Sequence, residues 1–313
     1  MRLSSLLLGL FLLLAPVGAG AQSPATGAQK TERIEAELVP MSAWASPGST
    51  AVVAIRQRIQ PGWHTYWRNQ GDSGGPTTLR WTLPSGVHAG DIVWPLPQRQ
   101  RLQGLTNYGY EGEVFLPVPV EIPASARSGS TLPLTVEANF FVCSDEMCVP
   151  DRLTLRLDLP IRDGAARVAG SVGRQVQTVV ETAPRPAGIN AHVTRGGSTL
   201  RLTATGGPLE GLDLRQATFF PYDGGVIDHA AAQFGRKGPR GLTLDLAPAK
   251  DAAASGAIAG VLSTDAGAWE ITAEPGPPLD GAGGGATLVA TPDAFGQAEP
   301  PPATGWAAVL QAA

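Results

Sequence analysis

Cys143 and Cys148 are the only cysteines in the 313-residue chain, with Ser144, Asp145, Glu146 and Met147 between them. A close pair of thiols on a turn suits redox exchange, in which one thiolate attacks an accessible disulfide sulfur and its neighbour resolves the mixed disulfide. The competing role is a staple. In the chain-entropy picture, closing so short a loop stabilises a fold by only about 2 kcal/mol, and a β-domain of this size builds a core without that help. A cycling dithiol is therefore the preferred reading, with an inert disulfide beside it. Two sulfurs without a nearby second pair make a poor zinc site. Four widely separated histidines give no His-based metal cluster and no Ser-His-Asp set. Neither a metal nor a cofactor is called for. Asp145 and Glu146 are candidate modulators, because a carboxylate beside sulfur disfavours a second negative charge; equally, they are solvated turn residues. Met147 reads as a packing contact before a copper ligand.

The elements that must position this pair are short. With 39 Gly, 28 Pro and 16 % charged residues, and Val, Leu and Thr in brief runs, the chain has the composition of an all-β protein with many turns. Strands are expected over 51–59, 78–83, 114–120, 132–142 and 153–159, with the cysteines between the last two. Pro117, Pro119 and Pro133 assign their strands to edges or bulges. A second set follows at 192–194, 199–204, 217–220, 242–246, 257–262 and 269–272. The expected architecture is two immunoglobulin-like β-sandwich domains, 30–163 and 189–275, joined by a connector over 164–188 that holds one short helix near 168–181. Residues 276–313 read as a Gly/Pro/Ala linker, whose apolar end from Gly305 suits the first turns of a membrane helix with Trp306 at the interface.

Compartment follows from the amino terminus. Met1 and Arg2 supply a positive start, Leu6 to Leu14 an apolar run, and Ala19-Gly20-Ala21 a small-residue cleavage pattern, so residues 1–21 read as a signal peptide. Outside the cytoplasm a disulfide persists, and a thiol pair working there as a reductant needs an electron source. The redox reading therefore implies a partner. Net charge is −4 and the basic residues are scattered, which argues against a nucleic-acid surface.

Three segments carry a family resemblance: Gly62 to Pro76 (GWHTYWRNQGDSGGP), Asn107 to Val114 (NYGYEGEV) and Val142 to Pro150 (VCSDEMCVP). Together they resemble the amino-terminal periplasmic region of the DsbD family of thiol:disulfide interchange proteins, most closely its ScsB-like branch, linked to copper tolerance. The resemblance implies a protein-disulfide reductase module, with Cys148 bonding the partner protein and Cys143 resolving. Its partners would be periplasmic thioredoxin-like or disulfide-isomerase-like proteins. Electrons would come from the transmembrane and thioredoxin-like domains of a longer protein, which would also tether the module to the inner membrane. It further implies that Tyr108 and Tyr110 lie at a cap loop shielding the cysteines, where some members carry a Phe at the position of Asn107; the plainer reading is two strand-edge tyrosines. Trp63, Tyr66 and Trp67 read as core aromatics, His64 as a hydrogen-bonded structural histidine, and Arg68 with Asp72 as a pair holding the 71–75 loop. A non-enzymatic binding or copper-tolerance module with a structural disulfide is the alternative.

Overall fold

Burial alternates with a period of two along Thr131–Cys143, so Leu134, Val136, Ala138, Phe140 and Val142 share one inward face. This strand and Cys148–Pro160 form a long hairpin, paired in unbroken register from Thr131 opposite Pro160 to Cys143 opposite Cys148. The computed structural model describes residues 27–102 and 104–290. Thr78–Thr82 completes this sheet on the other side, opposite Thr135 to Asn139. Pro133 lies beyond that pairing, where no neighbour asks for its missing N–H.

A five-stranded sheet faces the hairpin, in the order Gln29–Lys30, Ile34–Pro40, Thr50–Ile59, Glu113–Glu121, His88–Ala89. Pro117 and Pro119 sit in its penultimate strand, which pairs on one side with Thr50–Ile59 and is flanked on the other by the two-residue His88–Ala89. Beyond that short strand, their carbonyls accept from the Val93 and Gly90 amides, each at 2.8 Å. Val53, Ile55, Leu116 and Val118 from this sheet meet the hairpin residues in one core. A third sheet, Thr65–Gly71, Leu105–Tyr110 and Gln98–Leu102, adds Trp67, Tyr108 and Tyr110 to the same core. The helix Gly170–Thr182 lies against the outer face of the five-stranded sheet, where Val176 packs with Val39, Ala54 and Phe115.

The sandwich of the second half is one hydrogen-bonded sheet of nine strands. Phe219 in Ala217–Pro221, at one end of the strand order, and Leu288 in Thr287–Leu288, at the other, belong to the same core as Leu202 and Leu244. The sheet therefore folds over on itself. The two halves share apolar packing: Phe220 and Val261 of the second are buried in the core of the first. Asn69 donates to the Pro221 carbonyl at 2.8 Å, Arg99 to the His229 carbonyl at 3.2 Å, and Arg68 stacks 4.0 Å over the Tyr222 ring.

Part of the expected linker is built into this fold. Leu288 lies opposite Gly235, Ala282 is fully buried, and the Lys237 amide donates to the Ala286 carbonyl at 2.8 Å. Glycine composition misleads here because it permits close backbone approach. A Cβ on Gly238 would lie 2.2 Å from the Gly281 carbonyl oxygen. The expected signal peptide over 1–21 and the expected membrane-helix start from Gly305 lie outside the described residues. Among the described residues, no helix is long and apolar enough to cross a membrane.

Candidate functional site

Cys143 and Cys148 are joined by a disulfide at the tip of the long hairpin. Ser144 shapes the turn between them: its amide donates to the Met147 carbonyl at 2.9 Å, and its hydroxyl accepts from the amides of Glu146 and Met147. Such a side-chain-capped turn directs Asp145, Glu146 and Met147 outward. Met147 is 53 % exposed, so the packing role expected of it is not met: the hairpin tip carries it away from the core. The two sulfurs sit in unlike surroundings. Cys143 is 1 % exposed while Cys148 is an exposed residue.

His64 holds the buried cysteine from the side. Its amide donates to the Cys143 carbonyl at 2.9 Å and its carbonyl accepts from the Cys143 amide at 3.0 Å, extending the hairpin onto the segment before Thr65–Gly71. Tyr66 follows two residues later and so projects from the same strand face. Its Oη lies 3.1 Å from His64 Nε2 and 3.6 Å from Cys148 Sγ. The side chain in reach of the exposed sulfur is thus Tyr66. Burial pushes the Tyr66 phenol up to about 12. Burial pushes the His64 imidazole down to about 4, opposed by the negative charge of Asp145. At neutral pH both side chains are uncharged.

Gly74 and Gly75 make room for the rings of the site. A Cβ on Gly74, whose φ is +81°, would lie 2.1 Å from Tyr66 Cζ, and one on Gly75 would lie 2.9 Å from the Phe141 ring. The 72–75 loop is pinned to the strand Leu105–Tyr110. Asp72 accepts from the Thr106 amide at 2.7 Å, while Asn107 accepts from the Ser73 amide at 3.1 Å and donates to its hydroxyl. Asp72 does not make the expected pair with Arg68, whose guanidinium is drawn to the Tyr222 ring by its π face.

Tyr108 and Tyr110 are buried core residues of that strand. The Tyr108 hydroxyl lies 3.0 Å from His229 Nδ1, and the Tyr110 hydroxyl donates to the Pro95 carbonyl at 2.9 Å. Burial raises the Tyr110 phenol well above its ordinary value. Trp67 is a core aromatic as expected, in edge contact with Tyr108 and Phe220. Composition and motif reading missed Tyr66 and His64 as neighbours of sulfur. Their alternation in Gly62-Trp-His-Thr-Tyr, in front of a strand, was the available signal. Among the described residues no group of three or more His, Cys, Asp or Glu side chains is arranged to hold a metal ion.

Residues 35–160 match the family model described as thiol:disulfide interchange protein DsbD, N-terminal. The solved N-terminal periplasmic domain of ScsB from Proteus mirabilis matches with a TM-score of 0.61 at 20 % identity, over 80 % of this chain and 98 % of that one. The reduced N-terminal domain of DsbD from Neisseria meningitidis matches over 42 % of this chain and 89 % of its own, at 15 % identity and a TM-score of 0.22. No curated protein matches the chain. A cysteine pair closed at the tip of an all-β, immunoglobulin-like sandwich defines a thiol:disulfide interchange module. Residues 35–160 are similar to the DsbD amino-terminal domain, and the fold of the two halves together is that of the solved ScsB periplasmic domain.

Proposed function

We propose that this chain is a periplasmic protein-disulfide reductase module in which Cys148 exchanges with the partner and Cys143 resolves. The observation that carries the assignment is the contrast in exposure between the two sulfurs. Exchange requires in-line attack on a reachable sulfur. In the reduced module the Cys148 thiolate attacks one sulfur of a partner's disulfide, and the other partner sulfur leaves as a thiolate. Cys143 then attacks Cys148 Sγ, the Cys143–Cys148 disulfide re-forms, and the partner departs as a dithiol carrying two electrons. Re-reduction runs the same way: an incoming thiolate attacks Cys148 Sγ, Cys143 leaves, and the donor's second thiol releases Cys148.

The proposed partners are periplasmic thioredoxin-like or disulfide-isomerase-like proteins, and the proposed donor is the thioredoxin-like domain of a longer, membrane-tethered protein. Within the module, 30–163 would be the redox-active unit and 189–275 the second unit. Phe141, 42 % exposed, and Met147 flank Cys148 with apolar surface, while Asp145 and Glu146 give the tip a negative edge. This surface suits a partner with an apolar, neutral or basic rim around its own cysteines.

Trapping tests the assignment. Cys143→Ser leaves Cys148 able to attack and removes the resolving thiol, so covalent capture of exported partners is expected; Cys148→Ser is expected to capture none. The reverse pattern would refute the roles. A reduction potential well below about −300 mV for the intact pair would mark a permanent staple and refute the exchange reading itself.

A further inference from the structure

We propose that the cleft along the free edge of Thr78–Thr82 receives the carboxyl-terminal segment of a partner protein, added to the sheet as an extended strand with its terminal carboxylate on Arg68. Thr78–Thr82 pairs with Thr131–Cys143 on one side, and among the described residues no strand pairs with the other. In an antiparallel pair, alternate backbone N–H and C=O groups point away from the partner, so this edge offers donors and acceptors to an added strand. A cavity of about 670 Å³ runs along it. Thr78 and Leu79 both line that cavity, although neighbouring side chains of a strand project to opposite faces. The space therefore borders the edge of the strand rather than one face. Its facing wall is Ala89 to Trp94, held by the Pro117 and Pro119 carbonyls through the Val93 and Gly90 amides. The cleft is thus the gap between the edges of the two sheets of the first half.

The chemistry of the cleft selects the occupant. Leu79, Trp81, Ile92 and Trp94 line it and are partly buried against the core of the first half. Alternate apolar side chains of an added strand would cover them, while backbone pairing supplies the rest of the contact. A second cavity of about 310 Å³ adjoins the first and reaches between the halves to Pro184 and Val261. Where the two meet stands Arg68, exposed, its guanidinium 4.0 Å over the Tyr222 ring. The Tyr222 hydroxyl donates to Glu270 at 2.6 Å, which fixes the ring beneath the cation. Among the described residues no carboxylate forms an ion pair with Arg68. A guanidinium stacked by its face keeps its N–H edge open for a bidentate carboxylate. The inner cavity admits a side chain but not a continuing chain, so the carboxylate that meets Arg68 is a chain end. Asp91, exposed on the facing wall, disfavours further acidic residues in the occupant.

The test uses the full chain with its disulfide closed and follows the fluorescence anisotropy of a labelled peptide, Lys-Ser-Val-Thr-Val-Leu, with a free carboxyl terminus. Saturable binding is expected, and ~10-fold weaker binding of the same peptide amidated at that terminus, the scale of one charge-assisted hydrogen bond. Arg68→Gln is expected to weaken the acid ~10-fold and leave the amide unchanged, so that the variant no longer tells the two apart. N-methylation of alternate peptide amides should abolish binding on the edge that meets Thr78–Thr82 and spare it on the other, as strand pairing requires. The peptide changes leave the protein untouched, so the folding of a variant does not decide the outcome. No binding up to about 1 mM, equal affinity for acid and amide, or indifference to which edge is methylated would overturn the proposal. A dimer in sedimentation that the peptide does not dissociate would give the edge to a second copy of this chain and overturn it as well. Binding is expected unchanged in Cys148→Ser, so a failed peptide titration and a failed trapping experiment are separate results.

Discussion

Acid should weaken this protein in a way that one substitution removes. Folded His64 stays neutral down to about pH 4, whereas an unfolded-chain imidazole takes its proton near 6.5. Between these values the unfolded state binds more protons than the folded one, so stability is intact above about pH 6.5 and falls as pH drops through the window. At pH ~4.5 the difference amounts to about 2.5 kcal/mol for this group alone, taking 1.36 kcal/mol per pH unit as the conversion. That is a large fraction of the 5–15 kcal/mol roughly typical of a folded domain. The assay is urea unfolding followed by tryptophan fluorescence at about pH 7.5 and pH 4.5, with His64→Gln beside the parent. His229 is also pushed down by burial and adds acid sensitivity of the same sign, so the comparison rests on the difference between the two proteins. His64→Gln is expected to lose about 2–2.5 kcal/mol less than the parent on acidification. Equal losses in the two proteins would refute the neutral, buried imidazole.

Other perturbations have equally definite outcomes. Gly74→Ala places a methyl group inside the Tyr66 ring at a φ of +81°; it should cost at least about 2 kcal/mol in thermal melting. His229→Phe strands the Tyr108 hydroxyl and the Gly224 carbonyl, each 3.0 Å from a ring nitrogen, with an expected loss of about 1–3 kcal/mol by urea titration. Asp151→Ala removes the acceptor for Thr31 and for both arms of Arg33, at 2.7–3.1 Å and with Asp151 largely buried. It should destabilise the tip end of the cysteine hairpin by about 1–3 kcal/mol, read as faster amide exchange in 148–152.

Period-two runs bounded by turn residues make the long hairpin and its partner Thr78–Thr82 legible, although the second hairpin strand begins at Cys148 rather than near 153, and the helix expected near 168–181 spans Gly170–Thr182. The loop between the cysteines was legible because sulfur is rare and its spacing carries meaning. What escaped was non-local. Thr65–Gly71 is rich in aromatic and polar residues and lacks the apolar alternation of an ordinary half-buried strand, since its inward face serves a polar site. Tyr66 was read as a core ring, and it is buried; its other property, a hydroxyl in reach of Cys148, depends on a contact 82 positions away. His64 is the hydrogen-bonded structural histidine that its neighbourhood suggests, but its partner's link to sulfur is not visible in sequence. The tyrosines at 108 and 110 drew attention through a motif, whereas the groups that pin the loop beside the pair are Asp72, Thr106 and Asn107. Glycine content concealed the strand at Thr287–Leu288 because the same residue serves slack chain and tight backbone crossings.

Phe220 and Val261, buried in the core of the first half, make excision hazardous. A piece ending near Arg162 would lay Trp67 and Tyr108 open to water on the side where Phe220 and His229 now lie, loosening the very sheet from which the phenol leans on Cys148. Potentials or exchange rates taken from such a piece would describe a relaxed relative of the molecule. The second half, though it bears no sulfur, belongs in the cuvette.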